Sequence, residues 1–338
     1  MKESWWKEME PHAPDVVERE TLDGGFSRGL GLHFQPSEAY WLDAHVHLRT
    51  AKSEAEIVEV LDAWFARLDA FRLGRVLALV KPDASFEALQ AVSARDERFA
   101  WLLWLDPDRP DDALLRRALD HGAVGLKLHN APIMRGLHPH EIWLNDEWAR
   151  VFRLVEEAGV PVLWHVTQRL SAAPYHGGGR NAYWEEGCQR GVTFTNEDLL
   201  QVTLEVMRRF PRLKVQGAHQ LHLGPERLAQ LFAQYPNLYI DSSCTMFVRW
   251  ADVMYESDRQ VLRRFVLEHA DRILFGSDAP LAPGAIDEYL VQGFLCHARF
   301  FHQLRLPDPP LQMVSHENAE RLYGLTPLNP VRRGNYRP

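Results

Sequence analysis

Sixteen of the 338 residues are histidine, and neutral imidazole is the commonest metal ligand among side chains. Two of them form His45-Val46-His47. In an extended strand, residues i and i+2 point to one side, so both rings could meet one ion. The spacing alone is weak evidence, because a chain of this composition supplies about 0.75 such pairs by chance. His138-Pro139-His140 is a second pair; its loop-like surroundings make it a solvated pair at a rim. Position says more than spacing. Lys127 and His129 end one apolar run, and His165, His219 and Asp278 lie at or near the ends of three others. A single buried His is ordinarily a core residue. Ionisable groups at the ends of five apolar runs have no packing explanation, since buried polar groups are costly without partners. Converging imidazoles and a carboxylate are what a divalent cation requires.

Such groups need a frame. The apolar runs are 41–47, 75–80, 99–105, 123–129, 161–166, 213–219, 237–243 and 272–278. Amphipathic stretches lie between them. Residues 53–72 carry apolar positions at Ile57, Val58, Val60, Leu61, Trp64, Phe65 and Leu68, which predict a helix. Asn145 is placed to cap a helix that stops at Gly159, and Thr195 opens another that runs to Phe210 with acids in its first turn. Ser257 is the expected cap of 258–269. Eight strand-like runs, nearly all followed by a helix, predict an α/β chain folded as a (β/α)8 TIM barrel. The runs do not alternate in polarity, as expected of strands covered on both faces. A doubly wound open sheet shares that local pattern; the count of strands and the polar residues at their C-terminal ends favour the barrel. Residues 1–40, with Trp5, Trp6 and several prolines, read as an irregular N-terminal arm, 41–326 as the barrel and 327–338 as a tail. Connections 130–144 and 167–194 are long, and loops that follow strands cover the active face of such barrels.

Composition narrows the function classes. Charge sums to −8 with no basic stripe, which argues against nucleic acid as a partner. No apolar run approaches a membrane span, and the first residues lack a secretory core. Three cysteines, Cys188, Cys244 and Cys296, fit a reducing cytoplasmic setting rather than a disulfide framework. The expected partner is a small-molecule substrate, with a homodimer as the default assembly.

DAHVHL in the first run, GLKLH in the fourth, LWH in the fifth, GAH in the sixth, FGSDAP in the eighth and the ending ENAERLYGL resemble the amidohydrolase superfamily. The ending resembles its "amidohydrolase 2" branch, which holds aminocarboxymuconate-semialdehyde decarboxylase and related decarboxylases, hydratases and hydrolases. The resemblance spans residues 41–325. It implies His45, His47, His165 and Asp278 as ligands of a divalent metal, Zn²⁺ foremost and Mn²⁺ as the alternative, with one ion or two. It further implies Asp278 as proton acceptor and His219 as a second-metal ligand or catalytic histidine. Lys127 is the branching point. In binuclear relatives the matching lysine is a bridging carbamate, which requires a neutral amine; a cationic substrate contact and a structural ion pair remain open.

Around that set, Arg49, Arg169 and Arg249 are candidates to clamp a substrate carboxylate in two-pronged fashion. His129, His176 and Arg180 could reach over the mouth, and Tyr183 and Trp184 could wall an aromatic substrate. His222 reads as a loop residue beside the site, and Trp41, Trp104 and Trp164 as core. Gly177–Gly179 lacks the GK[ST] of a phosphate loop, and Cys244 has no paired base. The leading expectation is a metal-dependent hydrolase acting on an amide, lactone or activated C–C bond. The alternatives are a single-metal decarboxylase or hydratase of an aromatic or unsaturated acid, and a barrel whose site has decayed to a non-catalytic role.

Overall fold

The computed structural model describes residues 40–49, 51–168, 182–243, 256–284, 286 and 288–328. Of the expected arm and tail, only Tyr40 and residues 327–328 fall within that range. All eight apolar runs contain strands: β1 (Trp41–Leu48), β2 (Leu73–Val80), β3 (Phe99–Trp104), β4 (Leu126–His129), β5 (Val162–His165), β6 (Val215–Gly217), β7 (Leu238–Asp241) and β8 (Ile273–Leu274), followed by β9 (Ala279–Leu281). All pair in parallel, in the order β8-β7-β6-β5-β4-β3-β2-β1-β9. β8 and β9 belong to one stretch of chain. Its start pairs with β7 and its end with β1. Between them, Ala44 N donates to Phe275 O (3.0 Å) and Asp278 N to His45 O (2.8 Å). The interrupted stretch is thus the eighth strand, and it closes the sheet into a TIM barrel.

The helices form where sequence chemistry favours them. In α1 (Glu54–Leu68), Ser53 accepts from Glu56 N, and Ile57, Val60, Leu61, Trp64, Phe65 and Leu68 are buried. α2 (Phe86–Arg95) and α3 (Asp112–Asp120) follow β2 and β3. α4 (Asp146–Ala158) starts at the Asn145 cap and ends at Gly159, whose φ of 69° suits a residue without Cβ. α5 (Ala182–Gln189) lies within the long connection after β5. α6 (Asn196–Arg209) opens with a reciprocal capping box between Thr195 and Asp198. α7 (Pro225–Gln234) and α8 (Glu256–Glu268) follow β6 and β7. Ser257 lies inside α8 rather than capping it. α9 (Glu288–Gln303), α10 (Asp308–Gln312) and α11 (Asn318–Tyr323) come last among the described residues. Among the described residues no helix is long and apolar enough to cross a membrane.

Two apolar layers separate at the sheet. Leu42, Ala44, Leu77, Leu79, Leu102 and Leu163 fill the interior, closed by Ala319, Leu322 and Tyr323 of α11. The outward residues of the same strands join the larger cluster under the helices.

Candidate metal centre

β1 changes phase just where chemistry begins. Asp43 pairs with Val76 but Val46 pairs with Ala78, so β1 spends one residue more than β2 between the two pairs. Because side chains alternate, one extra residue flips the face. Leu42 and Ala44 pack inside the barrel; beyond the bulge it is His45 and His47 that turn inward, while Val46 joins the outer core. A second device carries His219. After Gly217, residues His219, Gln220, Leu221 and His222 have φ of 58°, 49°, 53° and 51°. Four consecutive left-handed residues cost about 1–2 kcal/mol each, and such strain concentrates at functional sites. The third device is the break between β8 and β9. A Cβ at Gly276 would stand 3.0 Å from His45 Cβ, so glycine permits the close approach, and Asp278, at φ 61°, turns back toward the mouth.

These side chains converge. His47 Nε2 is 2.8 Å and His45 Nε2 3.1 Å from Asp278 Oδ1. His219 Nε2 is 3.1 Å from His165 Nδ1, and Lys127 Nζ is 3.3 Å from His45 Nε2. One ligand atom each from His45, His219 and Asp278 lies within 4.8 Å of the others. Burial holds His47, His129, His165 and His219 below the ordinary histidine pKa, His219 at about 4. These rings are therefore neutral, the form that ligates metals. Burial alone would raise Asp278, but His45 and His47 outweigh it and hold the carboxyl well below its usual range. Burial also pushes Lys127 down to about 8, against the pull of Asp278 and Asp241.

The hydrogen-bond pattern tests whether a cation fits. His165 Nε2 donates to Gln168 Oε1 (2.8 Å), and His219 Nδ1 donates to Ser243 O (3.1 Å). Each neutral ring carries a single proton, so the two nitrogens that face each other at 3.1 Å are both bare. His45 Nδ1 donates to Asp241 Oδ2 (3.0 Å), which turns Nε2 toward the Asp278 carboxylate. Burial and Lys127 oppose a charge on His45, yet Asp278 and Asp241 outweigh them and its pKa is raised. Bare acceptors turned on one another call for positive charge between them. Ligands about 2.1 Å from a tetrahedral ion stand about 3.4 Å apart, close to the observed contacts, so the donor set fits a divalent cation.

An open cleft of about 700 Å³ leads to this cluster. Arg49 lines it and is exposed at the rim. His129 lines it as well; Ala131 N donates to its Nδ1 (2.8 Å), and the ring stacks on Trp104 and His165. Trp104 forms a wall rather than core, with Lys81 Nζ 3.8 Å above its ring. Trp41 and Trp164 are buried in the core. Tyr183 and His222 also border the cleft, whereas Trp184 is buried against Phe194. Arg169, His176, Arg180, Cys244 and Arg249 lie outside the described residues. His140 stacks on Phe194 and pairs with Glu141, apart from the cluster.

Sequence reasoning missed Asp241, Ser243, Gln168 and Lys81. Asp241 was findable, because it is an ionisable residue directly after the apolar stretch Leu238–Ile240 within NLYIDSS. Gln168 had no such signal; its place depends on Asn196 of α6, which exchanges hydrogen bonds with its backbone.

Imidazoles and a carboxylate gathered at the C-terminal ends of barrel strands define a metal-dependent barrel enzyme. The chain belongs to the amidohydrolase family, whose model matches residues 43–325. No curated protein matches the chain. Among solved structures, one similar chain is a probable 2-pyrone-4,6-dicarboxylic acid hydrolase from Acinetobacter baumannii with citric acid bound; TM-score 0.52, 15% identity, covering 84% of this chain and 99% of that one. Another is a dihydroxybenzoic acid decarboxylase from Polaromonas sp. JS666 with bound manganese and 2-nitroresorcinol; TM-score 0.51, 15% identity, covering 87% and 99%. At these identities the likeness supports the shared fold.

Proposed function

We propose that the protein is a metal-dependent hydrolase of a small, carboxylate-bearing organic substrate. The carrying observation is Asp278, an ionised carboxylate touching His45 and His47 while still 24% exposed to the cleft. His45, His47, His165, His219 and Asp278 would hold the ion, with Lys127 as a further ligand if its amine is carboxylated. Zn²⁺ is the favoured ion and Mn²⁺ the alternative. A bound divalent ion supplies Lewis-acid polarisation and a water of lowered pKa. Asp278 would accept the proton of an attacking water at a carboxylate oxygen, and His219, whose Nε2 carries no proton, would act as a ligand rather than as a donor to charge developing on the substrate. Arg49 supplies positive charge at the rim, where Lys81 is paired with Asp106 (2.9 Å), and Trp104 and Tyr183 supply flat walls, so a planar acid suits the cleft.

That same cleft favours a second reading, non-oxidative decarboxylation of an aromatic acid. Metal analysis of purified protein, followed by assays of lactone, amide and aromatic acids with and without chelator, tests both. Hydrolysis lost on chelation and lowered about 10²–10⁴-fold by Asp278→Asn supports the first. Release of carbon dioxide without hydrolysis supports the second. Full activity in the chelated protein would overturn both.

A further inference from the structure

Below the cluster, a line of buried hydrogen bonds runs down the barrel axis. Tyr323 OH, on the last residue of α11, donates to Gln216 Oε1 (2.6 Å). Gln216 Nε2 donates to Asp241 Oδ2 (2.7 Å). His45 Nδ1 donates to that same oxygen (3.0 Å). Tyr323 is 5% exposed, and Gln216, Asp241 and His45 are fully buried. The other carboxylate oxygen, Oδ1, accepts from His219 N (3.0 Å), Ser243 N (3.1 Å) and Ser243 Oγ (2.5 Å). Asp241 therefore holds one ring directly and the backbone of the left-handed turn that carries another.

We propose that Asp241, supported from beneath by Gln216 and Tyr323, is a positioning unit that fixes the proton of His45 on Nδ1 and thereby turns Nε2 toward the cation. The inference rests on the metal reading above. The order of donors supports it. An ionised carboxylate only accepts, so Gln216 must present its NH₂ to Asp241. Its Oε1 then faces Tyr323, which must donate. One carboxylate thus dictates the orientation of every group along the line, from the closing helix to a ring at the mouth. Packing does not account for these residues. Barrel interiors favour branched apolar side chains, and a buried amide or hydroxyl is costly unless bonded. Gln216 and Tyr323 touch no ligand atom of the cluster in this line; they act through Asp241.

The test uses the full-length chain with Asp241→Asn, Gln216→Leu and Tyr323→Phe. Three readouts are taken: Zn²⁺ affinity by competition with a chromophoric chelator, thermal unfolding of the metal-free protein, and the downfield imidazole NH resonance of His45. Asp241→Asn is expected to weaken Zn²⁺ about tenfold to a hundredfold, as loss of a carboxylate behind a ligating histidine commonly does. Gln216→Leu and Tyr323→Phe are expected to weaken it in the same direction but less, and to shift or broaden the Nδ1–H resonance. Unchanged Zn²⁺ affinity and an unchanged resonance in Gln216→Leu and Tyr323→Phe, with only the unfolding temperature lowered, would overturn the proposal and leave a packing role. If the unsubstituted protein takes up no Zn²⁺, the metal reading fails. The resonance, measured without metal, still decides whether Asp241 and its supports set the His45 tautomer.

Discussion

Lys127 shows most clearly what a single residue costs this protein. It is fully buried, beside His45 and below the Trp104 ring. Burial lowers its pKa from 10.5 to about 8. The unfolded chain therefore binds more protons than the native one between those values, and stability rises with pH across that window. Below about pH 8 the charged amine costs about 3 kcal/mol, and the cost fades toward pH 10. Lys127→Met should therefore stabilise the metal-free protein at pH 7 by up to that amount, and the gain should shrink as pH climbs from 8 to 10. Chemical denaturation of both proteins at pH 7 and pH 9.5, in chelator, checks it; a gain that is constant with pH would place its origin in packing. The carbamate reading needs an amine that is easily neutralised, which a pKa lowered to about 8 supplies, whereas the cationic substrate contact needs the amine charged. The type and position of this residue were legible in GLKLH, because an ionisable group ending an apolar run is conspicuous. Its partners were not, since they come from strands far away in the chain.

At the scale of elements, strands and helix caps followed from the residues themselves. Unalternating apolar runs marked β1 to β8, and Asn145, Gly159 and Thr195 mark helix ends because their side chains or backbone satisfy orphan groups there. The bulge in β1, the left-handed turn after β6 and the break in the eighth strand were not legible. Each depends on what the neighbouring strand does, and no local motif encodes it. Yet these three irregularities aim His45, His47, His219 and Asp278. The turn gives a direct test of stored strain. At ordinary positions alanine is more stable than glycine by about 0.5–1 kcal/mol. At His222, with φ 51°, the order should invert, because only glycine enters the left-handed region without penalty. His222→Gly should exceed His222→Ala by about 1 kcal/mol in unfolding free energy. Both variants lose the same imidazole, so the comparison isolates the backbone, and alanine ahead of glycine would show that the turn relaxes.

For the whole molecule, the barrel's closure and the proposed metal site depend on the same seam. The chain from 273 to 281 joins β7 to β1 and carries Asp278 across to the β1 histidines. The fold class was legible because eight apolar runs, nearly all followed by a helix, recur along the chain, whereas the seam was not, since its two halves pair with opposite edges of the sheet. A cation held by His45, His47 and Asp278 would bind only when that seam is closed, and binding only the native state adds RT ln(1 + [L]/Kd) to stability. At a free Zn²⁺ concentration one hundred times Kd this is about 2.7 kcal/mol. With an unfolding entropy of about 2.1 cal/mol/K per residue, a barrel of this length should gain about 4 °C in melting temperature. His45→Ala should remove most of that rise, whereas His138→Ala, outside the cluster, should leave it intact. Calorimetric scans of the three proteins across a Zn²⁺ titration measure the difference. A rise that survives His45→Ala would place the stabilising ion elsewhere and separate the closure of the barrel from its chemistry.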